Sequence, residues 1–147
     1  MIDFVIAGTF KSASSTLSYE LGSHPEIDVP KPKDPYFYLA DLCRDLTGPA
    51  GFMAEHDAHS VYDRSRFEAL FTKQGPHVLK GEATPLYLYC HEQAIPALKA
   101  DNPDARIILV LLDDFVTDDV DGTRQHGFYE DVAQAVDRAR KGAVRVI

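Results

Sequence analysis

Residues 4–16 read Phe4-Val5-Ile6-Ala7-Gly8-Thr9-Phe10-Lys11-Ser12-Ala13-Ser14-Ser15-Thr16, an apolar run followed by a turn rich in hydroxyl groups. The apolar run predicts a short buried strand, and the residues after it predict a helix that ends at Gly22. A helix N-terminus leaves backbone N–H groups unpaired and carries about half a positive charge. Because the turn adds one lysine and five hydroxyl groups, we predict that it binds an anion.

The same turn has a plainer interpretation. It is also typical of an ordinary strand-to-helix connection with a serine cap, since capping uses the same residue types. It does not match the phosphate loop of nucleoside-triphosphate-binding proteins, G-x-x-x-x-G-K-[ST], because the second glycine is missing and Lys11 comes too early. A P-loop kinase or NTPase is therefore disfavoured.

The turn resembles the 5′-phosphosulfate-binding loop of the sulfotransferases that use 3′-phosphoadenosine 5′-phosphosulfate (PAPS). Their loop follows the first strand and reads approximately G-x-x-K-[SC]-G-[ST]-[ST]-[ST]. The matching residues are Gly8, Lys11, Ser12, Ser14, Ser15 and Thr16. Ala13 stands where that family usually has glycine, and its methyl group is expected to weaken binding.

Later segments extend the resemblance in the same order. Residues 24–38 resemble the family's HPEI-x-x-P-x-x-KEPHFF segment, in which Asp34 replaces the glutamate that often acts as general base. Residues 81–89 resemble a bacterial GEASP-x-YL element, and residues 94–112 resemble the approach to the 3′-phosphate site. The matching part is residues 1–112, which correspond to the family's N-terminal half.

The resemblance changes at residue 113. The family places an arginine and then a serine there to bind the 3′-phosphate, whereas residues 113–121 hold five aspartates and no basic residue. Each close pair of like charges costs about 1 kcal/mol even in water. Residues 113–147 instead resemble a later segment of the family. We therefore expect a single, shortened sulfotransferase-like domain over residues 1–147, with its centre missing by natural deletion, by design or because the sequence is incomplete.

The resemblance implies roles for individual residues. Lys11 would neutralise the leaving oxygens and Asp34 would take a proton from a hydroxyl or amine acceptor. The cofactor-binding residues would be those of the loop: Gly8, Thr9, Phe10, Lys11, Ser12, Ala13, Ser14, Ser15 and Thr16. The implied cofactor is PAPS, the product is adenosine 3′,5′-bisphosphate, and no metal is required. The implied partner is a small-molecule or carbohydrate acceptor, and the 3′-phosphate would need Arg124, Arg138 or Arg140, none of which fits the family pattern.

Two functions from different classes follow. One is a PAPS-dependent sulfotransferase, and the other is a non-catalytic or truncated relative that binds an anion or acts as an interaction module. Several residues have two interpretations. Asp34 is either the base or a turn residue before Pro35, and Lys31 and Lys33 either bind a ligand or belong to a solvated loop. Glu82 either contacts a ligand or anchors the Gly81 turn through backbone hydrogen bonds.

Other patterns are weaker. His56 and His59 have H-x-x-H spacing without a clear third metal ligand. The acidic run that ends at Gly122 fails the calcium-loop pattern. Tyr36, Phe37 and Tyr38 are expected in the core or a cleft wall.

The periodicity predicts an α/β fold, a parallel sheet flanked by helices with the ligand at the carboxyl ends of the strands. Strands are predicted at 3–7, 77–80, 107–112 and 143–147, and helices at 15–22, 36–42, 64–73, 91–100 and 128–141. The proline-rich residues 24–35 are predicted to be a loop, as are residues 47–62.

The overall charge limits the choice of partners. A formal net charge of −8 argues against broad binding to nucleic acids or anionic membranes. No apolar stretch approaches the roughly 20 residues of a membrane span, and the N-terminus lacks a signal-peptide pattern. Two cysteines do not indicate a disulfide framework, so a cytoplasmic location is expected.

Overall fold

The computed structural model describes residues 1–10, 12–31, 33–46 and 61–110, with only the backbone described at 44–46. Four strands form its sheet: β1 (Phe4–Ile6), β2 (Ile27–Asp28), β3 (Leu79–Ala83) and β4 (Arg106–Ile108). The helices are α1 (Ser14–Ser23), α2 (Ala40–Leu46), α3 (Arg64–Glu68), α4 (Leu86–Tyr89) and α5 (His91–Asp101), and a 3-10 turn at Phe37–Leu39 precedes α2. No helix in these ranges is long and apolar enough to span a membrane.

The sheet confirms the predicted fold class. Its strand order is β2-β3-β1-β4, and every pair is parallel. In the centre, Ile6 of β1 is in register with Ala83 of β3 and Ile108 of β4. The carboxyl ends of β1, β3 and β4 therefore meet at one edge of the sheet.

Both faces of the sheet are buried. Phe4 and Ile6 pack with Leu17 and Leu21 of α1, whereas Val5 belongs to a larger cluster on the other face. That larger cluster includes side chains from α5, the 3-10 turn and α3, namely Leu98, Leu39 and Phe67. This two-sided burial explains why β1 is apolar at every position instead of alternating.

At the edge of the larger cluster, the carboxylate of Asp101 accepts hydrogen bonds from two side chains. The Tyr38 hydroxyl donates to Oδ2 of Asp101 at 2.8 Å, and Arg64 pairs with the same carboxylate at 2.9 Å. Burial alone would raise the pKa of Asp101, but the hydrogen bonds from Arg64 and Tyr38 outweigh it and the pKa is lowered. The contact joins the end of α5 to the 3-10 turn and to α3.

The predicted end of α1 is wrong. Gly22 lies inside the helix, which continues to Ser23. The ammonium group of Lys73 instead satisfies carbonyl groups at this end, donating to those of Gly22, His24 and Ile27 at 2.7 Å each. A lysine that is distant in sequence thus supplies hydrogen bonds to carbonyl groups near the helix end, where helices often end at a glycine instead.

Other predicted boundaries also shift. The helix predicted at 64–73 ends at Glu68, and the strand predicted at 77–80 spans Leu79–Ala83. Two elements were not predicted: β2, inside the proline-rich loop, and the single turn α4. The loop predicted at 47–62 and the elements predicted at 128–141 and 143–147 lie wholly or mostly outside the described residues.

Candidate functional site

The turn after β1 lies at the carboxyl edge of the sheet, as predicted for an anion loop. Its start is held by β4 and the residues after it: the Thr9 N–H donates to the Val110 carbonyl at 3.0 Å, and the Val110 N–H donates to the Gly8 carbonyl at 2.9 Å. Lys11, the predicted catalytic lysine, lies outside the described residues. The first residues of the turn, Gly8 and Thr9, are therefore fixed by hydrogen bonds to Val110, which follows β4.

Gly8 is required by its surroundings. Its φ is 140°, in the region that favours glycine, and a Cβ placed there would lie 3.0 Å from Cβ of Leu88 and 3.2 Å from the Pro85 carbonyl oxygen. The turn that leads into α4 thus packs directly against the start of the loop. Any larger residue at position 8 would push these two segments apart.

The start of α1 differs from a serine-capped turn. The N-terminal capping residue is Ala13, with φ 59° and ψ 19°, and no side chain caps the helix. The hydroxyl of Ser12 is buried and donates to the Thr9 carbonyl at 2.6 Å, so it holds the turn together. A helix start has no intrahelical acceptors for its first backbone N–H groups, so these groups can bind solvent or an anion.

The other side chains of the loop and of the first turn of α1 differ in their exposure to solvent. Ser15 and Thr16 are exposed at the start of α1, whereas Ser14 is buried. Phe10 is half exposed and its ring stacks on that of Tyr89 at a centroid distance of 5.1 Å. Exposed hydroxyl groups next to an uncapped helix start are chemically suited to a phosphate or sulfate group.

Asp34 is brought to the same edge of the sheet. Its N–H donates to the carbonyl of Ala83 at 3.0 Å, which places it at the carboxyl end of β3, directly beside β1. Asp34 has φ 62° and Tyr36 has φ 55°, so the segment around Pro35 bends sharply twice. The structure thus places Asp34 and the loop on neighbouring strand ends.

The carboxylate of Asp34 is paired with Lys33. The ammonium group lies 2.7 Å from Oδ1 and 2.8 Å from Oδ2, and both side chains are partly exposed. Lys33 is therefore an ion-pair partner of Asp34, which neither sequence interpretation of this lysine had included. The Nζ of Lys31 lies 5.3 Å from the centroid of the Tyr19 ring.

Glu82 is the residue whose environment the sequence did not reveal. It is completely buried, its Oε2 accepts from the Thr84 hydroxyl at 2.7 Å, and its Oε1 has no hydrogen-bond partner among the described residues. Burial raises the pKa of Glu82 to about 7, and the hydroxyls of Tyr87 and Thr84 partly oppose this rise. The only sequence signal is the Glu-x-Thr spacing, which in extended backbone puts the side chain of Glu82 on the same side of the chain as that of Thr84, just after β3.

The ring residues beside Asp34 line the core as predicted. Tyr36 and Tyr38 are buried, and burial followed by the charge of Asp34 raises the pKa of Tyr36 to about 12. Among the described residues, no group of three or more His, Cys, Asp or Glu side chains could hold a metal ion. The weaker metal patterns, His56 with His59 and the run before Gly122, lie outside the described residues, as do residues 113–121 and the three arginines considered for the 3′-phosphate.

Comparison with known proteins supports the fold. No protein-family model matches this chain, and no curated protein does. Among solved structures, a sulfotransferase from Alicyclobacillus acidocaldarius matches with a TM-score of 0.69 and 22% sequence identity, over 100% of this chain and 72% of that one. At this identity the likeness concerns the fold alone: the α/β fold of this chain is similar to the fold of that sulfotransferase.

Proposed function

We propose that this protein is a sulfotransferase that uses PAPS as sulfuryl donor and a hydroxyl or amine as acceptor. The observation that carries the proposal is the uncapped start of α1 beside Asp34, both at the carboxyl edge of one parallel sheet. An anion-binding helix end and a carboxylate on neighbouring strands are the two groups that sulfuryl transfer needs.

The helix start fits an anionic group. Backbone N–H groups and the partial positive charge at the start of α1 attract an anion, and the exposed hydroxyls of Ser15 and Thr16 supply further donors. Lys11 completes the charge in this proposal. These groups would stabilise the negative charge that develops on the leaving phosphate, as in phosphoryl transfer.

Asp34 would accept the proton of the acceptor. As the acceptor oxygen or nitrogen bonds to sulfur, the bond from sulfur to the bridging oxygen breaks and its electron pair leaves with adenosine 3′,5′-bisphosphate. The acceptor proton passes to a carboxylate oxygen of Asp34, and Lys33 remains hydrogen-bonded to that carboxyl group. Because Lys33 contacts both oxygens at present, the acceptor must displace one of these contacts.

The Lys33–Asp34 pair also favours a second candidate. The ammonium group of Lys33 contacts both carboxylate oxygens of Asp34, and a carboxylate that is occupied in this way suits a non-catalytic relative that retains only the anion site. The two candidates differ in whether Asp34 affects turnover.

The test is release of adenosine 3′,5′-bisphosphate from PAPS in the presence of a panel of hydroxyl and amine acceptors. We expect Asp34→Asn to lower turnover by about 100-fold or more, the usual range for a general base, while nucleotide affinity changes little. Asp104→Asn, an exposed aspartate after α5, is the matched control. Full turnover by Asp34→Asn would remove Asp34 from the mechanism, and nucleotide binding without turnover by the unmodified protein would favour the second candidate.

A further inference from the structure

A groove of about 310 Å³ lies between α1 and residues that follow β2, namely Val29, Pro30, Lys31 and Lys33. This volume is at the lower end of the range of about 300–1,000 Å³ that is typical of small-ligand sites. The side chains that matter for its chemistry are Ser15, Ser18, Tyr19, Val29, Lys31 and Lys33.

The groove reaches both parts of the proposed catalytic site. At one end Ser15 belongs to the first turn of α1, where the anion is proposed to bind. Lys33 also lines the groove, and its ammonium group is bonded to the carboxylate of Asp34. A molecule in the groove would therefore lie beside the first turn of α1 and beside Lys33, the ion-pair partner of the proposed proton acceptor Asp34.

The charge of the groove is opposite to that of the chain. None of the described residues that line it is an aspartate or glutamate, although the whole chain carries a net charge of −8. The charge of Lys33 is balanced by Asp34, so Lys31 provides the net positive charge. Lys31 is exposed and lies over the Tyr19 ring, where it is accessible to a ligand.

The walls add an apolar surface and hydroxyl donors. The Tyr19 ring is 61% exposed, which is unusual for a large aromatic side chain, and Val29 is partly exposed beside it. An exposed ring favours contact with a flat apolar face. Ser15 and Ser18 lie on the same helix face, three residues apart; Ser15 is exposed, whereas Ser18 is buried.

We propose that the groove binds a small anionic acceptor, a hydroxylated ring that carries a carboxylate. The carboxylate would pair with Lys31 and the ring would lie against Tyr19 and Val29. This inference rests on the proposed function, because it assigns the class of acceptor for the same site. It goes beyond the proposed function, which specifies a hydroxyl or amine acceptor but not the charge of that acceptor.

The test compares two probes that differ only in charge, 4-hydroxyphenylacetate and its neutral amide, 4-hydroxyphenylacetamide. Binding is followed in ¹H–¹⁵N spectra of the unmodified protein, Lys31→Glu and Lys80→Glu. Lys80 is the matched control because its Nζ also lies over an aromatic ring, 5.7 Å from the centroid of Phe71, away from the groove lining.

We expect the carboxylate probe to bind about fivefold to tenfold more tightly than the amide, the ratio that one ion pair at a groove edge supplies. Its shifts should centre on Tyr19 and Val29, and Lys31→Glu should abolish the preference while Lys80→Glu retains it. Equal affinity for the two probes, a preference that survives Lys31→Glu, or no shift of groove residues with either probe would overturn the proposal. A separate titration with adenosine 3′,5′-bisphosphate tests the proposed function, so a carboxylate preference without nucleotide binding would contradict that function and still support an anionic ligand in the groove.

Discussion

Ala13 has a backbone conformation that residues with a Cβ atom rarely adopt. Its φ of 59° lies in the left-handed region, which costs an L-residue about 1–2 kcal/mol. The sequence comparison noted Ala13 only as a departure from glycine with a methyl group near the ligand. The structure adds a backbone reason for glycine, since this conformation begins α1.

We therefore expect Ala13→Gly to leave stability unchanged or to raise the free energy of unfolding by up to about 1 kcal/mol, because relief of backbone strain offsets the added flexibility of the unfolded chain. Urea unfolding of the unmodified protein and of Ala13→Gly measures this difference in the free energy of unfolding. The matched control is Ala97→Gly, at an exposed position inside α5, which should cost about 1 kcal/mol. Equal losses in both variants would mean that position 13 does not need a left-handed residue.

Glu82, which precedes the end of β3 at the candidate site, should make folding stability depend on pH. Its pKa rises from 4.5 to about 7 on folding, first through burial and also through the charge of Asp34. Between these values the folded protein binds a proton that the unfolded chain releases. Stability from this group is thus fully present below about pH 4.5 and is lost as the pH rises through about 7.

Glu82→Gln cannot ionise, so it should become more stable relative to the unmodified protein as the pH rises from 5 to 8. The rise of the pKa from 4.5 to about 7 sets an upper bound of about 3 kcal/mol on this relative gain. Chemical unfolding at several pH values measures the difference curve, with exposed Glu20→Gln as control. A flat difference curve for Glu82→Gln would show that Glu82 has an ordinary pKa in the folded protein.

At the scale of elements, the contact between β1 and β3 depends on Gly81. Phe4 is in register with Gly81, and a Cβ at position 81 would lie 2.2–2.4 Å from ring atoms of Phe4. The ring therefore lies across the glycine. Gly22 is different: a Cβ there would make ordinary contacts with Val29 at 3.6 Å, in a helix.

Gly81→Ala should consequently lower the free energy of unfolding by about 1–3 kcal/mol, the usual cost of overpacking a core. Gly22→Ala should raise it by about 0.5–1 kcal/mol, because alanine is the better helix former. Thermal or urea unfolding of Gly81→Ala and Gly22→Ala measures both changes in the free energy of unfolding. If Gly81→Ala were as stable as Gly22→Ala, the Phe4 ring would not be confined by β3.

The elements also show what local sequence can predict. The strand predicted at 3–7 from an apolar run, the helix predicted at 91–100 and the parallel α/β class are confirmed by the structure as β1, α5 and the parallel sheet. The end of α1 at Ser23 depends on Lys73, about 50 residues away, and β2 forms only because β3 lies beside it. Such boundaries are set by tertiary contacts that local patterns do not contain.

The site was predictable to a similar extent. The loop after β1 was identified from its own residues and Asp34 from the resemblance to the sulfotransferases, and the sheet brings the two to one edge. The Lys33–Asp34 pair and the buried environment of Glu82 were not predictable, because both depend on how residues 33–36 dock on the end of β3. Their chemical roles remain predictions.

At the scale of the whole molecule, an acidic chain is proposed to bind an acidic nucleotide. Long-range repulsion from a net charge of −8 opposes that encounter, so affinity must come from the loop and from Lys11. The aspartates at 113–121 lie outside the described residues and are where the sequence predicts the weakest support for a 3′-phosphate. Nucleotide binding is thus the claim on which the account depends.

Calorimetric titration with adenosine 3′,5′-bisphosphate tests this claim most directly, with adenosine 5′-monophosphate and Lys11→Ala as comparisons. The account predicts saturable binding by the unmodified protein that Lys11→Ala weakens by about tenfold or more, since loss of one charge-assisted contact costs about 1.5–3 kcal/mol. Tighter binding of the bisphosphate than of the monophosphate would also show that the 3′-phosphate is recognised. No binding by the folded protein, or equal affinity in Lys11→Ala, would contradict the assignment of residues 8–16 as a phosphosulfate loop.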